Sequence, residues 1–172
     1  VDMVIDGGPC GVGLESTIVN LTSERPQILR PGGVSLSALS DALKQDINLD
    51  NGIDYPRVSG SLESHYSPLT PLKIRNFSEL SELIAEEKNN SENNGFLIHS
   101  EELINKATER KLAFKSISVN YDMYSKSLYD LLHSLDKLSL DSIFIENPPA
   151  NSEWMAVVDR LKRASRKTRQ TC

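Results

Sequence analysis

Apolar runs and amphipathic stretches alternate along residues 72–172. Short continuous apolar runs at 96–98 and 143–145 are typical of strands buried in a parallel sheet, and two further strands are predicted at 72–77 and 114–119. Each predicted strand is followed by a stretch with apolar residues three or four positions apart, which is the period of a helix with one buried face. The pattern predicts four strand–helix units, and hence a small Rossmann-like parallel sheet in a three-layer α/β fold.

Polar residues mark where the predicted helices begin. Asn76 is followed three positions later by Glu79, which is the signature of a capping box. Ser100 and Asn120 precede the next two helices as candidate N-caps. The helix after Asn120 has the most regular apolar stripe, with leucines in the i, i+4, i+7 register. That stripe predicts hydrophobic core rather than a cofactor site.

Residues 1–54 contain shorter elements. Strands are predicted at 1–5, 17–21 and 27–29, and a short helix is predicted around Leu36 to Leu43, with Ser35 or Ser37 as its cap. Roughly fifty residues with such short strands lie near the lower limit for independent folding. We therefore expect that these elements alone cannot bury a complete core.

The segment between the two regions lacks periodicity. Residues 45–71 contain repeated proline and glycine, so residues 55–71 are predicted to link a domain ending at residue 54 to one spanning residues 72–172. The linker carries His65 and Tyr66. These rings could close over a nucleotide as part of a lid, or they could only pin the linker to a domain surface. The residues alone leave both interpretations open.

A glycine-rich loop followed by hydroxyl groups is the candidate for chemistry in residues 1–54. It reads Asp6-Gly7-Gly8-Pro9-Cys10-Gly11-Val12-Gly13-Leu14-Glu15-Ser16-Thr17, and Arg30 follows beside the turn Pro31-Gly32-Gly33. Glycines allow backbone to approach a ligand closely, hydroxyls can donate and accept, and guanidinium suits phosphate or carboxylate. The same residues could instead be ordinary turn and strand-end punctuation. No standard nucleotide-binding motif matches the loop.

Several stretches taken together resemble one family. Besides the glycine loop and Leu29-Arg30-Pro31-Gly32-Gly33, they are Ser59-Gly60-Ser61-Leu62-Glu63-Ser64-His65-Tyr66-Ser67-Pro68, residues 134–138 and residues 159–164. In this order they resemble the long-form threonylcarbamoyl-AMP synthases, which join a YrdC-type catalytic domain to a C-terminal Rossmann-like domain. The resemblance identifies the chain as a C-terminal fragment of such a protein, without the Lys-x-Arg element of the catalytic half. It implies that residues 1–54 are the C-terminal part of the YrdC-type α/β domain and that residues 72–172 are the Rossmann-like domain.

The resemblance implies a function for the parent protein. The family is a class of nucleotidyltransferases that join L-threonine, bicarbonate and ATP, usually with Mg²⁺, into threonylcarbamoyl-adenylate and pyrophosphate. Other tRNA-modification proteins then use the product to make threonylcarbamoyladenosine. The implied active site lies between residues 1–54 and the catalytic half that is absent here, so we expect the fragment alone to be inactive.

Residue roles also follow from the resemblance. Ser16 and Thr17 are expected at the threonine or carbamate, and Arg30, His65 and Tyr66 at ATP. Glu15 is expected to be a structural partner of the neighbouring backbone or of Arg30. No residue is assigned a catalytic role, and none is assigned to a metal.

Composition restricts the other functions. Among the 172 residues are 24 acidic and 19 basic ones, so the net charge of −5 argues against direct tRNA binding. The basic residues between 160 and 169 are expected on a solvated helix face. No apolar run has the ~20 residues of a membrane span, and the two cysteines suggest no disulfide framework or metal site. A soluble cytoplasmic protein is expected.

A second hypothesis belongs to a different class of function. The Rossmann-like alternation in residues 72–172 would also suit a binding module that recognises a regulatory nucleotide or a partner protein without catalysing a reaction. The dinucleotide glycine fingerprint is missing from these residues, so the alternation describes only their shape.

Overall fold

The structure, a computed structural model, describes residues 2–8, 11–49, 67–87 and 92–165. Within these residues the strands form two sheets, one of three strands and one of four. The predicted linker residues 55–66, with His65 and Tyr66, lie outside the described residues. The boundaries proposed for the linker and the two domains therefore stay predictions.

The three-stranded sheet belongs to the first third of the chain. Its elements are β1 (Ile18–Asn20), β2 (Gln27–Arg30), α1 (Leu36–Leu43) and β3 (Asn48–Leu49). In this sheet β2 is central, antiparallel to β1 and parallel to β3. Helix α1 begins after Ser35, whose hydroxyl accepts a hydrogen bond from the Ala38 amide.

The prediction of a strand at the start of the chain is wrong for the residues that the structure describes. Residues 2–8 have no regular secondary structure and are exposed. A strand exists only where a neighbour completes its backbone hydrogen bonds, and no described residue pairs with this segment. The two-residue strand β3 was not predicted, because its sequence lies in a region without periodicity.

The four-stranded sheet confirms the predicted α/β architecture. Its elements are β4 (Leu72–Arg75), α2 (Phe77–Glu86), β5 (Asn94–Ile98), α3 (Glu101–Glu109), β6 (Ala113–Ser116), α4 (Tyr121–Asp136), β7 (Ser142–Glu146) and, after a 3₁₀ turn at Ser152–Trp154, α5 (Met155–Ser165). The strand order is β4-β7-β5-β6, and neighbouring strands are parallel throughout.

Hydrophobic side chains cover both faces of this sheet. On one face Phe96, Ile98 and Phe144 pack with residues of α2 and α3, and the Phe96 and Phe144 rings stack at 5.8 Å. On the other face Leu97 and Ile143 pack with residues of α4 and α5. Because successive strand residues point to opposite faces, one continuous apolar run supplies both layers of core.

The helix starts follow the sequence signals with one exception. Asn76 and Glu79 form the predicted capping box before α2, and the Asn120 side chain accepts from the Met123 amide at the start of α4. Ser100 is the N-cap residue of α3, but its side chain makes no cap hydrogen bond. Its hydroxyl instead contacts the Glu146 carboxylate at the end of β7.

In the described ranges, none of the helices has the length and apolar character that a membrane crossing requires.

Candidate functional site

The glycine loop turns through two positions that favour glycine. Gly8 and Gly13 have φ of 82° and 79°, a region in which side chains are strained. The Asp6 carboxylate accepts from the Gly8 amide at 2.9 Å and fixes the first turn. A Cβ at Gly13 would overlap the backbone of Ser125 and Lys126 in α4. Glycine therefore allows this loop to lie directly against the helix of the four-stranded sheet.

Leu14 anchors the loop in the core of the C-terminal part. Its side chain is 8% exposed and belongs to the hydrophobic cluster that α4 and α5 form on the sheet. Burying a leucine side chain contributes about 1.5–3 kcal/mol. The loop that carries Ser16 is thus bound to the four-stranded unit by apolar packing as well as by chain connection.

Strand pairing brings Ser16 and Arg30 together. Ile18 of β1 pairs with Arg30 of β2, and Ser16 lies two positions before this pair. The Arg30 Nε and Nη2 atoms donate to the Ser16 carbonyl oxygen at 3.1 and 2.8 Å. Ser16 itself is exposed, whereas Arg30 is only 8% exposed. The sequence prediction placed both residues at strand ends, and the structure has them in direct contact.

Thr17 fastens the second turn of the site. Its hydroxyl donates to the Val34 carbonyl at 2.8 Å and accepts from the Val34 amide at 3.1 Å. The Gly33 amide donates to the Glu15 carbonyl at 3.0 Å, one position before Ser16. These bonds hold residues 31–34 against residues 15–17. Thr17 consequently has a structural role here, and its predicted contact with substrate stays a prediction.

Glu15 has a partner that the sequence analysis did not predict. Its Oε2 atom accepts from Nε of Arg160, in α5, at 2.7 Å. Burial raises the pKa of the Glu15 carboxyl, but the hydrogen bond and charge of Arg160, with a smaller contribution from Arg30, hold it below the usual 4.5. A carboxylate of this kind stays ionised at neutral pH and suits an ion pair better than proton transfer.

Arg160 corrects the expectation for the basic residues near the end of the chain. The amphipathic pattern placed it on a solvated face, yet its side chain is only 4% exposed. Pairing with Glu15 and Asp159 compensates the loss of hydration that burial imposes on a guanidinium. The partner Glu15 stands 145 positions away in sequence. No local signal in a single sequence predicts such a pairing.

His65 and Tyr66, the other predicted ATP ligands, are not among the residues that the structure describes, so their roles stay predictions. Across the described ranges, no group of three or more histidine, cysteine, aspartate or glutamate side chains could hold a metal ion.

The crevice of the four-stranded sheet carries a buried carboxylate. Open α/β sheets bind ligands where neighbouring strands send their chains to opposite faces, and the carboxyl ends of β5 and β7 are one such place in this sheet. Glu146, 4% exposed, stands at this point and accepts from the amides of His99 and Ser100 at 2.7 and 2.9 Å. Burial lowers the pKa of His99 despite the neighbouring Glu146 charge.

This carboxylate gives the crevice a charge that phosphate groups avoid. Helix α3, which starts there, also carries Glu101 and Glu102 in its first turn. A helix N-terminus binds anions when its amides and its dipole face the ligand without a competing negative charge. Here Glu146 already occupies the His99 and Ser100 amides just before α3. The geometry gives no support to a nucleotide site in this crevice.

The chain is therefore an α/β protein in which a segment with a glycine loop and the Ser16–Arg30 contact packs against a unit built on a small parallel sheet. A family model described as the C-terminal domain of threonylcarbamoyl-AMP synthase matches residues 34–166. The chain belongs to this family.

Curated relatives agree with the family, and a solved structure shares the fold. The chain is 29% identical over 175 residues to threonylcarbamoyl-AMP synthase of Bacillus subtilis, covering 94% of this chain and 48% of the relative. It is also 29% identical over 188 residues to threonylcarbamoyl-AMP synthase of Schizosaccharomyces pombe, and this match covers 96% of this chain and 45% of the relative. The crystal structure of P. abyssi Sua5 complexed with L-threonine has the same fold, with a TM-score of 0.75 and 24% identity over 93% of this chain and 48% of that one. The chain thus spans about half the length of these proteins.

Proposed function

We propose that the chain is part of a long-form L-threonylcarbamoyladenylate synthase, a nucleotidyltransferase that joins L-threonine, bicarbonate and ATP. The contact between Ser16 and Arg30 carries this proposal, because the Arg30 guanidinium holds the backbone carbonyl of a residue that bears an exposed hydroxyl. Family membership and the names of the curated relatives support it. P. abyssi Sua5 was crystallised with L-threonine, which supports the same substrate class here.

The proposed reaction makes defined demands on the site. The amine of threonine combines with bicarbonate to form a carbamate and water. A carbamate oxygen then bonds to the α-phosphorus of ATP, and the bond to the departing pyrophosphate breaks. Such a site needs donors for a carboxylate, positive charge for phosphates and exclusion of water, which would hydrolyse the adenylate.

Each demand has a proposed residue. Ser16, exposed beside the Arg30 contact, would donate to the threonine or carbamate carboxylate, with Thr17 holding the strand end that carries it. Arg30 would supply positive charge to the ATP phosphates while it fixes the Ser16 carbonyl. His65 and Tyr66 would close over the nucleotide. Mg²⁺ would arrive with the ATP phosphates, and no step is assigned to it.

The product would serve other proteins. A threonylcarbamoyl-adenylate is an activated acyl group, so a separate tRNA-modification enzyme must accept it and transfer it to adenosine. The proposed role does not require this chain to bind tRNA directly. The proposed location of the protein is the cytoplasm. Because the chain spans about half the length of its relatives, we expect the 172 residues alone to release little pyrophosphate.

The full-length protein that contains this chain provides the test. Pyrophosphate release should require threonine, bicarbonate and ATP together. Arg30→Ala should raise the KM for ATP about tenfold or more, since a charge-assisted contact contributes about 1.5–3 kcal/mol. Arg25→Ala is the matched control, because Arg25 is an exposed arginine in the turn before β2. If Arg30→Ala and Arg25→Ala have the same KM for ATP, Arg30 does not bind the nucleotide.

Ser16 is tested in the same assay through threonine. Ser16→Ala should raise the KM for threonine more than the KM for ATP, because the proposed hydroxyl contact is with the threonine or carbamate carboxylate. Ser23→Ala is a matched control in the exposed turn between β1 and β2. Equal threonine KM values in the two variants would contradict the role of Ser16. Pyrophosphate release without threonine or bicarbonate would contradict the proposed reaction itself.

A further inference from the structure

Arg160 joins the last helix to both segments of the candidate site. Its Nε donates to Glu15 Oε2 at 2.7 Å, and its Nη2 donates to the Pro31 carbonyl at 3.3 Å. Its Nη1 donates to Asp159 at 2.7 Å, one position back on α5. One guanidinium from the C-terminal part therefore bridges the segment before β1 and the turn after β2.

The two residues that Arg160 holds are the direct neighbours of the predicted ligands. Glu15 precedes Ser16, and Pro31 follows Arg30. Because a guanidinium is planar and its donors point in fixed directions, contacts from two of its arms set a distance between the two partners. The Arg160 side chain is 4% exposed, so packing restricts its own freedom as well.

We propose that Arg160 is a positioning residue for the Ser16–Arg30 site. By holding the Glu15 carboxylate and the Pro31 carbonyl, it sets the placement of the Ser16 hydroxyl relative to the Arg30 guanidinium. The four-stranded unit thereby takes part in substrate binding through α5. This inference rests on the proposed function, and Arg160 acts through Glu15 and Pro31 rather than on substrate.

Other contacts hold the glycine loop on the four-stranded unit, so an effect of Arg160 on the geometry at Ser16 can be separated from an effect on the attachment of the loop. Leu14 lies in the core cluster of α4 and α5, and Gly13 lies directly against α4. Neither contact depends on the Arg160 guanidinium. Replacing Arg160 by glutamine should therefore leave the loop on the C-terminal unit while loosening the geometry at Ser16. Arg163→Gln is the matched control, because Arg163 lies on the same helix and its Nε donates to Asp159 at 2.9 Å.

Hydrogen exchange in the 172-residue chain tests the geometry without any assay of activity. The Gly33 amide donates to the Glu15 carbonyl at 3.0 Å, and the Val34 amide donates to the Thr17 hydroxyl at 3.1 Å. In Arg160→Gln both amides should exchange at least about tenfold faster than in Arg163→Gln, as local opening predicts. Amides of the four-stranded sheet, such as that of Phe96, should be unchanged. Unchanged Gly33 and Val34 rates, or equal acceleration of every amide, would overturn the proposal.

Kinetics of the full-length protein test the consequence for substrate. In Arg160→Gln the KM for threonine should rise about tenfold, by loss of alignment, with a smaller change in kcat. Arg160→Lys should recover part of this loss, because it keeps a cation for Glu15 but lacks the second arm for Pro31. A threonine KM equal to that of Arg163→Gln would refute the positioning role. A wild-type protein without threonine-dependent pyrophosphate release would refute the proposed function instead, leaving the exchange result to decide the geometry.

Discussion

A methyl group added at Gly32 tests how tightly the two segments of the candidate site fit together. Gly32 lies in the turn after Arg30, and its Cα faces the backbone of Glu15, Ser16 and Thr17. In Gly32→Ala the new Cβ would stand closer to these backbone atoms than the 3.0 Å that real Cβ atoms keep. Backbone atoms cannot rotate away as a side chain can, so the two segments must separate.

The expected cost follows from three contributions. Overpacking of this kind costs about 1–3 kcal/mol. Loss of the Gly33–Glu15 backbone hydrogen bond, 3.0 Å long, adds about 1 kcal/mol. Alanine restricts the unfolded chain and returns about 0.4–1 kcal/mol. The net destabilisation should therefore be about 1–4 kcal/mol, out of a total stability of about 5–15 kcal/mol for a typical domain.

Urea unfolding followed by the fluorescence of Trp154, the single tryptophan, measures this change. Trp154 is 3% exposed and packs edge to face on Tyr124 at 4.9 Å, so unfolding changes its environment. Gly11→Ala is the matched control, because a Cβ at Gly11 meets no atom within 4 Å.

Comparison of the two variants decides whether the segments touch. If Gly32→Ala and Gly11→Ala unfold within about 0.5 kcal/mol of each other, the range of an ordinary surface substitution, the close contact of the two segments does not exist in solution. An unchanged hydrogen-exchange rate of the Gly33 amide in Gly32→Ala, compared with Gly11→Ala, would lead to the same conclusion.

Three further predictions concern the C-terminal unit. Asp136→Asn should destabilise it by about 1–3 kcal/mol, because the carboxylate accepts from the Leu69 and Thr70 amides at 2.9 and 2.7 Å. Burial raises the pKa of Asp136, yet these amides hold it below the usual 3.8. The stabilisation from this carboxylate is therefore present at neutral pH and is lost as the pH falls through the lowered pKa. Acid unfolding of the wild type and the variant would detect this loss. Tyr124→Phe should leave urea stability unchanged or increase it by up to about 1 kcal/mol, because its buried hydroxyl has no partner among the described residues; clear destabilisation would contradict this. Asn76→Ala should cost about 1 kcal/mol through loss of the capping box, and an unchanged urea midpoint would count against that cap.

Local sequence patterns predicted most of the four-stranded unit. Continuous apolar runs and helical stripes appear where a residue's own neighbours decide its environment, as in β5 and α4. The strand order β4-β7-β5-β6 could not be read from the sequence, because it depends on which faces meet in space. The predicted strand at residues 1–5 failed for the same reason, since a strand needs a partner that its own sequence does not specify.

The candidate site was predicted in part. Glycines, hydroxyls and an arginine close together in sequence indicated Ser16 and Arg30, and the structure has those two residues in contact. The ion pair of Glu15 with Arg160 was missed because 145 positions separate the partners. Amphipathic analysis also assigns every arginine to solvent by default, and only coordinates reveal an arginine that is paired and buried.

The strand order constrains how the C-terminal unit can be synthesised and folded. Strand β7, the last of the four to leave the ribosome, lies between β4 and β5, which are the first two. Strands β5 and β6 can pair early, but β4 has only β7 as its neighbour in this sheet. A nascent chain that stops before Ser142 therefore leaves β4 without its strand partner and with unpaired backbone groups that favour aggregation.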